Sequence, residues 1–368
     1  MITSSKVAER STQITGMRPG LSIYLDLVRL LAAVGVLLSH AAGFVMPSLP
    51  SKIATNGTEC VAVFFVLSGF VIRFVSVEKG EKDWRTYLIA RTTRIYSVAL
   101  IAIVATFLID HAGQAINPAS YAGRDLTYSP VAALLNLSFL NEVWFTHTVF
   151  GYNEPFWSLG FEVPYYVFFG LVAFAPRRVL PLCLALWLLV YGPKIAAFLP
   201  LWLLGAALYE IIATRRQIGR PLGAALVAGS ALLYVGVKFG IDHDFHRMYK
   251  PVSWTDLLKG VAYFHAIGLA VAMNFAGMDA LLRSGSGLNK RMVSVVRWLA
   301  NGSFTLYLVH LPLLAFARAA VPHIQERPAL GAAAIGATFA VCYILAEAGE
   351  RRKSAFKKPI ERIVRRRA

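Results

Sequence analysis

Three residues of one apolar stretch, Asp26, Arg29 and His40, carry side chains suited to ion pairing and proton transfer. They lie between Leu21 and Phe44, a run long enough to be a helix in a bilayer. An ionisable group in hydrocarbon costs several kcal/mol unless it is paired or wet, so it is a functional candidate by default. The eleven-residue step from Arg29 to His40 turns a helix about 20° beyond whole turns and rises about 16 Å. The two therefore share a face at different depths. Asp26 lies one turn before Arg29, within pairing reach. A snorkelling Asp–Arg pair plus an interfacial histidine would give the same pattern without chemistry.

Further candidates lie elsewhere. Glu162 follows Glu154-Pro155-Phe156-Trp157-Ser158-Leu159-Gly160-Phe161, and Pro155 suits a first helical turn. In a regular helix Glu162 falls about 10 Å below that start, near the depth assigned to His40. A carboxylate and an imidazole at matched depth form a proton-transferring pair; a structural carboxylate paired with Arg29 or a histidine is the plainer reading. Arg91 and Arg94 are spaced to share a helix face, and two guanidinium forks there suit phosphates, although any cytoplasmic loop is expected to be basic. Ser68-Gly69, within Phe64-Phe65-Val66-Leu67-Ser68-Gly69-Phe70, marks close helix packing. His310, within Tyr307-Leu308-Val309-His310-Leu311-Pro312, is a second intramembrane histidine. Asp110-His111 and the Asp242-His243-Asp244-Phe245-His246 stretch match no strong metal-ligand spacing, so no metal site is expected. Cys60, Cys183 and Cys342 sit in apolar segments and read as packing residues rather than a disulfide framework.

The elements that must position these groups follow from hydropathy. The chain is 57% hydrophobic and 15% charged over 368 residues, with mean hydropathy +0.57; the charged share is well below the roughly 25% of a soluble domain. Apolar runs fall at approximately 21–44, 59–77, 92–110, 156–175, 178–192, 195–213, 221–240, 255–276, 298–319 and 329–349. This predicts an all-α, polytopic transmembrane helical bundle of about ten spans, the run at 178–192 being short. Residues 21–44 are too long and too charged for a cleaved signal segment, so they read as a retained first span. The formal net charge of +17 is distributed as a topology signal, not as a nucleic-acid footprint. Lys6, Arg10 and Arg18 precede the first run. Arg73, Lys79, Lys82, Arg85, Arg91 and Arg94, then Arg177 and Arg178, then Arg215, Arg216 and Arg220, then Arg283, Lys290, Arg291 and Arg297 fill every second gap. Both termini are therefore expected in the cytoplasm. The long gap 111–155 lies on the other side, and its apolar stretch 131–140 suits the interface or a re-entrant segment. Residues 1–350 read as one membrane domain, and 351–368, with nine Lys or Arg, as a basic cytoplasmic tail touching anionic lipid.

In order along the chain, these pieces resemble the membrane-bound acyltransferase-3 family of bacterial integral-membrane O-acyltransferases. The resemblance is carried by Leu25-Asp26-Leu27-Val28-Arg29 with His40 (an arginine, ten residues, a histidine), by Phe64 to Phe70, by Arg91-Thr92-Thr93-Arg94, by Trp157-Ser158-Leu159 with Glu162, and by Tyr307-Leu308-Val309-His310. It implies ten membrane helices in a bacterial inner membrane, a cytosolic acyl-CoA co-substrate (usually acetyl-CoA), and a carbohydrate or glycolipid acceptor. On that reading His40, Glu162, Arg29 and Asp26 form the catalytic set, with His40 as general base or transient acyl carrier and Glu162 orienting it. Arg91 and Arg94 hold the CoA phosphates, and Ser68, Trp157, Tyr307 and His310 support the site. The competing reading is a proton-coupled transporter or flippase, in which the same charges would be coupling sites; such proteins often show two related halves, and no internal repeat is visible here.

Overall fold

The computed structural model describes residues 17–78, 80–81, 83–213, 218–240, 253–284 and 289–365. Every regular element among them is helical: α1 Pro19–Phe44, α2 Ser51–Ala54, α3 Gly57–Glu78, α4 Trp84–Ile116, α5 Pro130–Leu137, α6 Leu159–Phe174, α7 Leu180–Ala213, α8 Arg220–Gly240, α9 Trp254–Leu281, α10 Lys290–Ala300, α11 Ser303–Ala320, α12 Pro328–Ala348 and α13 Lys353–Arg365. Hydrocarbon offers no partner to backbone N–H and C=O groups, so helices that bond internally are what these apolar sequences form. Nine elements among the described residues are long and apolar enough to cross a membrane. The protein is an all-α, multi-pass membrane bundle.

The expected runs 178–192 and 195–213 lie in one element, α7, broken at Gly192 with φ 81° and ψ 177°. Trp187 Nε1 donates to the Pro164 carbonyl at 2.9 Å, while the Trp202 ring sits 6.1 Å from that of Tyr165, the next residue of α6. In an unbroken helix Trp187 and Trp202 would be about 22 Å apart along the axis. The two arms therefore fold back on each other at Gly192. The first arm, 180–191, is about 18 Å long, short of the roughly 30 Å hydrocarbon core.

Three boundaries differ from hydropathy. The third span starts at Trp84 rather than 92, because Asp83 caps it by accepting the Arg85 and Thr86 N–H groups, each at 2.9 Å. The hydrogen bonds from Thr86 hold that carboxyl below its ordinary range. The run 298–319 is interrupted at Asn301-Gly302, which separates α11 from α10, an amphipathic helix with Met292, Val295 and Trp298 exposed. The stretch 131–140 contains α5, capped by Ser129 and presenting Val131 and Leu134 outward, as for a helix against lipid at the interface.

Helix α11 runs through the middle of the bundle, packed against α1, α4 and α12, while α3 packs on α1 and α7. Backbones meet where α3 and α7 cross: a Cβ on Gly69 would lie 1.9 Å from the Trp202 carbonyl oxygen, and one on Gly205 1.9 Å from that of Val66. Small residues permit this approach, and it replaces the hydrophobic driving force that lipid removes. Helices α8 and α9 pair on the flank. The basic segment after α12 forms α13, with Phe356, Ile360 and Val364 half-buried on the face packed along α4. Lys6, Arg10, Lys79, Lys82, Arg215, Arg216, Asp242 to His246 and 366–368 lie outside the described residues.

Candidate functional site

Three cavities follow one another through the bundle. The first, about 370 Å³, is lined by Arg29, Arg94, Ser97, Trp298, Asn301, Phe304, Glu350, Arg351 and Lys353. The second is a neck of about 60 Å³ that shares Arg29, Arg94 and Phe304 with the first and adds Val61, Phe64, Ser68, Ser158, Glu162 and Tyr307. The third, about 430 Å³, shares Val61 and Tyr307 with the neck and contains His40, Ser39, Thr58, Arg124, Glu154 and Trp157. We call the first the basic-end cavity and the third the far-end cavity. The predicted common face of Arg29 and His40 is the cavity face of α1, with Arg29 at the neck and His40 beyond it.

In the far-end cavity His40 meets His310, not Glu162. His40 Nδ1 and His310 Nε2 are 2.8 Å apart, with the rings stacked at 5.0 Å. His310 Nδ1 is 3.0 Å from the Leu306 carbonyl. A carbonyl oxygen only accepts, so His310 Nδ1 carries a hydrogen and its Nε2, in the neutral ring, accepts from His40 Nδ1–H. That assigns the tautomer of both rings and leaves His40 Nε2 with a free lone pair. This is the form required of a general base. His310 is fully buried, in a turn of α11 that also presents Tyr307, whose hydroxyl donates to Ser158 Oγ at 2.9 Å.

The expected pairing of Glu162 with His40 does not occur. Ser68 Oγ donates to Glu162 Oε1 at 2.6 Å, Tyr166 donates to the same oxygen, and Trp202 Nε1 donates to Ser68 Oγ at 3.2 Å. Residues 154–158 form a 3-10 turn rather than α-helix. Five residues at about 2.0 Å rise instead of about 1.5 Å carry Glu162 deeper, into the neck beside Arg94.

Asp26 pairs with Arg29 at 2.9 Å, as the spacing implied. Arg29 Nε is buried without a partner among the described residues. Arg91 and Arg94 are not brought together. Arg91 is buried against Glu81 at 2.5 Å and the Tyr87 ring at 5.3 Å, lining an apolar groove between α4 and α6. Arg94 points into the neck and the basic-end cavity and makes no hydrogen bond or ion pair among the described residues. A three-residue step leaves side chains about 60° apart on a helix, and two long side chains diverge from there.

Several cavity residues were not visible as candidates in the sequence. Glu350 closes the basic-end cavity, accepting from Thr305 N and Oγ1 at 2.9 Å each. Arg351 lies 4.0 Å over Trp298 and donates to its carbonyl at 2.8 Å. Their one signal was an acidic residue adjoining a run of bases, which reads as a tail. Asp110 accepts from Tyr152 N at 2.8 Å and Tyr128 at 3.1 Å, tying down the segment between α4 and α6. No grouping of three or more metal-ligand side chains occurs among the described residues.

Searches of curated proteins and of solved structures each return no match. A family model described as an acyltransferase domain matches residues 22–347, a span that takes in both arginines of the neck, the stacked histidines and every residue named for the neck and the far-end cavity, while Glu350, Arg351 and Lys353 of the basic-end cavity lie just past it. The chain belongs to the membrane-bound acyltransferase-3 family and is a multi-pass membrane acyltransferase.

Proposed function

We propose that the protein moves an acyl group, acetyl in the first instance, from cytosolic acyl-CoA to a hydroxyl of a surface carbohydrate or lipid-linked glycan across a bacterial inner membrane. The observation that carries this reading is the continuous row of cavities, basic at one end and ending at His40. The concentration of Lys and Arg at the first end supports a cytoplasmic placement for it.

Acyl-CoA docks in the basic-end cavity, where four cations face one carboxylate. Arg94, which has no competing anion in contact, takes a CoA phosphate with Arg351 and Lys353. The pantetheine arm enters the neck past Arg29. At about 60 Å³ the neck has room for only a few waters, so Phe64 and Phe304 swing aside as the arm enters. His40 Nε2 removes the proton of the acceptor hydroxyl. The oxygen attacks the thioester carbonyl, the C–S bond breaks, and the CoA thiolate leaves and takes up a proton. His310 holds His40 in the reactive tautomer, and Glu162, fixed by Ser68 and Tyr166, balances the charge of Arg94 in the neck. Acylation of His40 followed by transfer is the two-step form of the same reaction.

The arginines separate in a kinetic test. Arg94→Ala is expected to raise the acyl-CoA KM about tenfold or more, the value of one lost charge-assisted hydrogen bond, with little change for the acceptor. Arg91→Ala should leave the acyl-CoA KM within about twofold, since its partners are Glu81 and Tyr87. Equal increases for both substrates in Arg94→Ala would count against phosphate binding. A transporter would show no thermal stabilisation by micromolar CoA, whereas this reading requires it.

A further inference from the structure

The far-end cavity holds a cation that the transfer reaction above does not use. Arg124 lies in the segment between α4 and α5, and its guanidinium carbon sits 5.3 Å from the Phe44 ring centroid and 4.9 Å from that of Tyr152. The two rings meet edge to face at 5.7 Å, so they fix the guanidinium from two sides. Among the described residues no carboxylate or carbonyl accepts from it. Arg318, the other cation over Phe44, is committed to the Ser120 carbonyl at 3.1 Å. Arg124 nevertheless lines the same cavity as His40.

The cavity has the size of a small-molecule site. Its lining is part apolar, with Trp157 and Leu311, and part polar, with Ser39, Thr58 and Glu154. That mixture suits a sugar ring, apolar on one face and rimmed with hydroxyls. A guanidinium held over two rings with no anion bonded to it among the described residues, and with five donors in a rigid fork, is suited to a carboxylate or a phosphate.

We infer that Arg124 forms an anion subsite for the acceptor, so that the glycan acylated here carries a carboxylate or phosphate near the reacting hydroxyl. This rests on the assignment of the far-end cavity to the acceptor. The anion is held between Phe44 and Tyr152 at the rim, and the hydroxyl is directed inward to His40. Arg124 thus sets specificity and takes no part in proton transfer.

The test uses the full chain in nanodiscs and three probes: a uronate-containing disaccharide, a hexose phosphate, and a neutral disaccharide. Calorimetric titration is expected to show at least one anionic probe binding about tenfold tighter than the neutral one. The probe that binds identifies the anion as carboxylate or phosphate. Arg124→Gln should abolish that margin, Arg124→Lys should keep part of it, and acetyl-CoA binding should be unchanged in both. Equal binding of all three probes, no measurable binding of either anion, or a preference that survives Arg124→Gln overturns the subsite. Failure of the wild-type chain to bind acetyl-CoA would instead overturn the proposed transfer reaction, which is what makes the far-end cavity the acceptor's.

Discussion

His40→Ala is expected to lower acyl transfer in proteoliposomes by about 10²–10⁴-fold, the contribution typical of a positioned general base. The acyl-CoA KM should change little, because the residues assigned to the donor lie in the basic-end cavity and the neck. His310 gives the companion result. Its Nε2 accepts from His40 Nδ1 at 2.8 Å, so His310→Ala leaves that N–H without a buried acceptor and frees the His40 ring to take the wrong tautomer. His310→Gln offers an amide oxygen in the same region and should recover part of kcat. Full activity of folded His40→Ala, measured alongside undiminished CoA binding, would remove His40 from the chemistry.

Lys194→Met is expected to destabilise the fold by about 3–5 kcal/mol, the cost of stripping one partner from a buried ion pair. Lys194, two residues past the Gly192 break, is fully buried. Its Nζ donates to Glu142 Oε2 at 2.8 Å and to the Thr146 carbonyl at 2.6 Å. Glu142, also fully buried, lies 2.7 Å from His147 Nδ1. Gly192 is packed against Trp144, whose N–H donates to the Tyr191 carbonyl at 2.9 Å. The cluster joins the hairpin of α7 to the segment leading into Glu154 and Trp157, so it holds one wall of the far-end cavity. Removing the cation leaves an uncompensated carboxylate there. Lys194→Met with Glu142→Gln removes both charges and should recover most of the lost thermal stability. If the double variant in detergent unfolds no later than Lys194→Met alone, the pair is not the source of the effect.

The spans were legible because a bilayer imposes one length and one composition on every helix that crosses it. What hydropathy missed were local events inside apolar or basic runs: the Asp83 cap, the Gly192 reversal and the Asn301-Gly302 break. Within the site, the common face of Arg29 and His40 and the Asp26–Arg29 pair followed from helical geometry alone. The partners of His40 and Glu162 did not. His40 and His310 are 270 residues apart on different helices, and no local pattern encodes such a contact. Glu162 lies deeper than an α-helical rise predicts because the segment before it is 3-10. The spacing of Arg91 and Arg94 suggests a pair, but which cavity each enters depends on Glu81, Tyr87 and the position of α6.

In the proposed reaction donor and acceptor meet from opposite sides of the membrane through one passage. Sealed inside-out and right-side-out vesicles from cells expressing the protein test it, with radiolabelled acetyl-CoA supplied only outside. If the basic-end cavity faces the cytoplasm as proposed, inside-out vesicles should incorporate label into glycan, right-side-out vesicles should not, and His40→Ala should abolish the signal. Equal labelling of glycan by both vesicle types, each shown to be sealed, would contradict the passage.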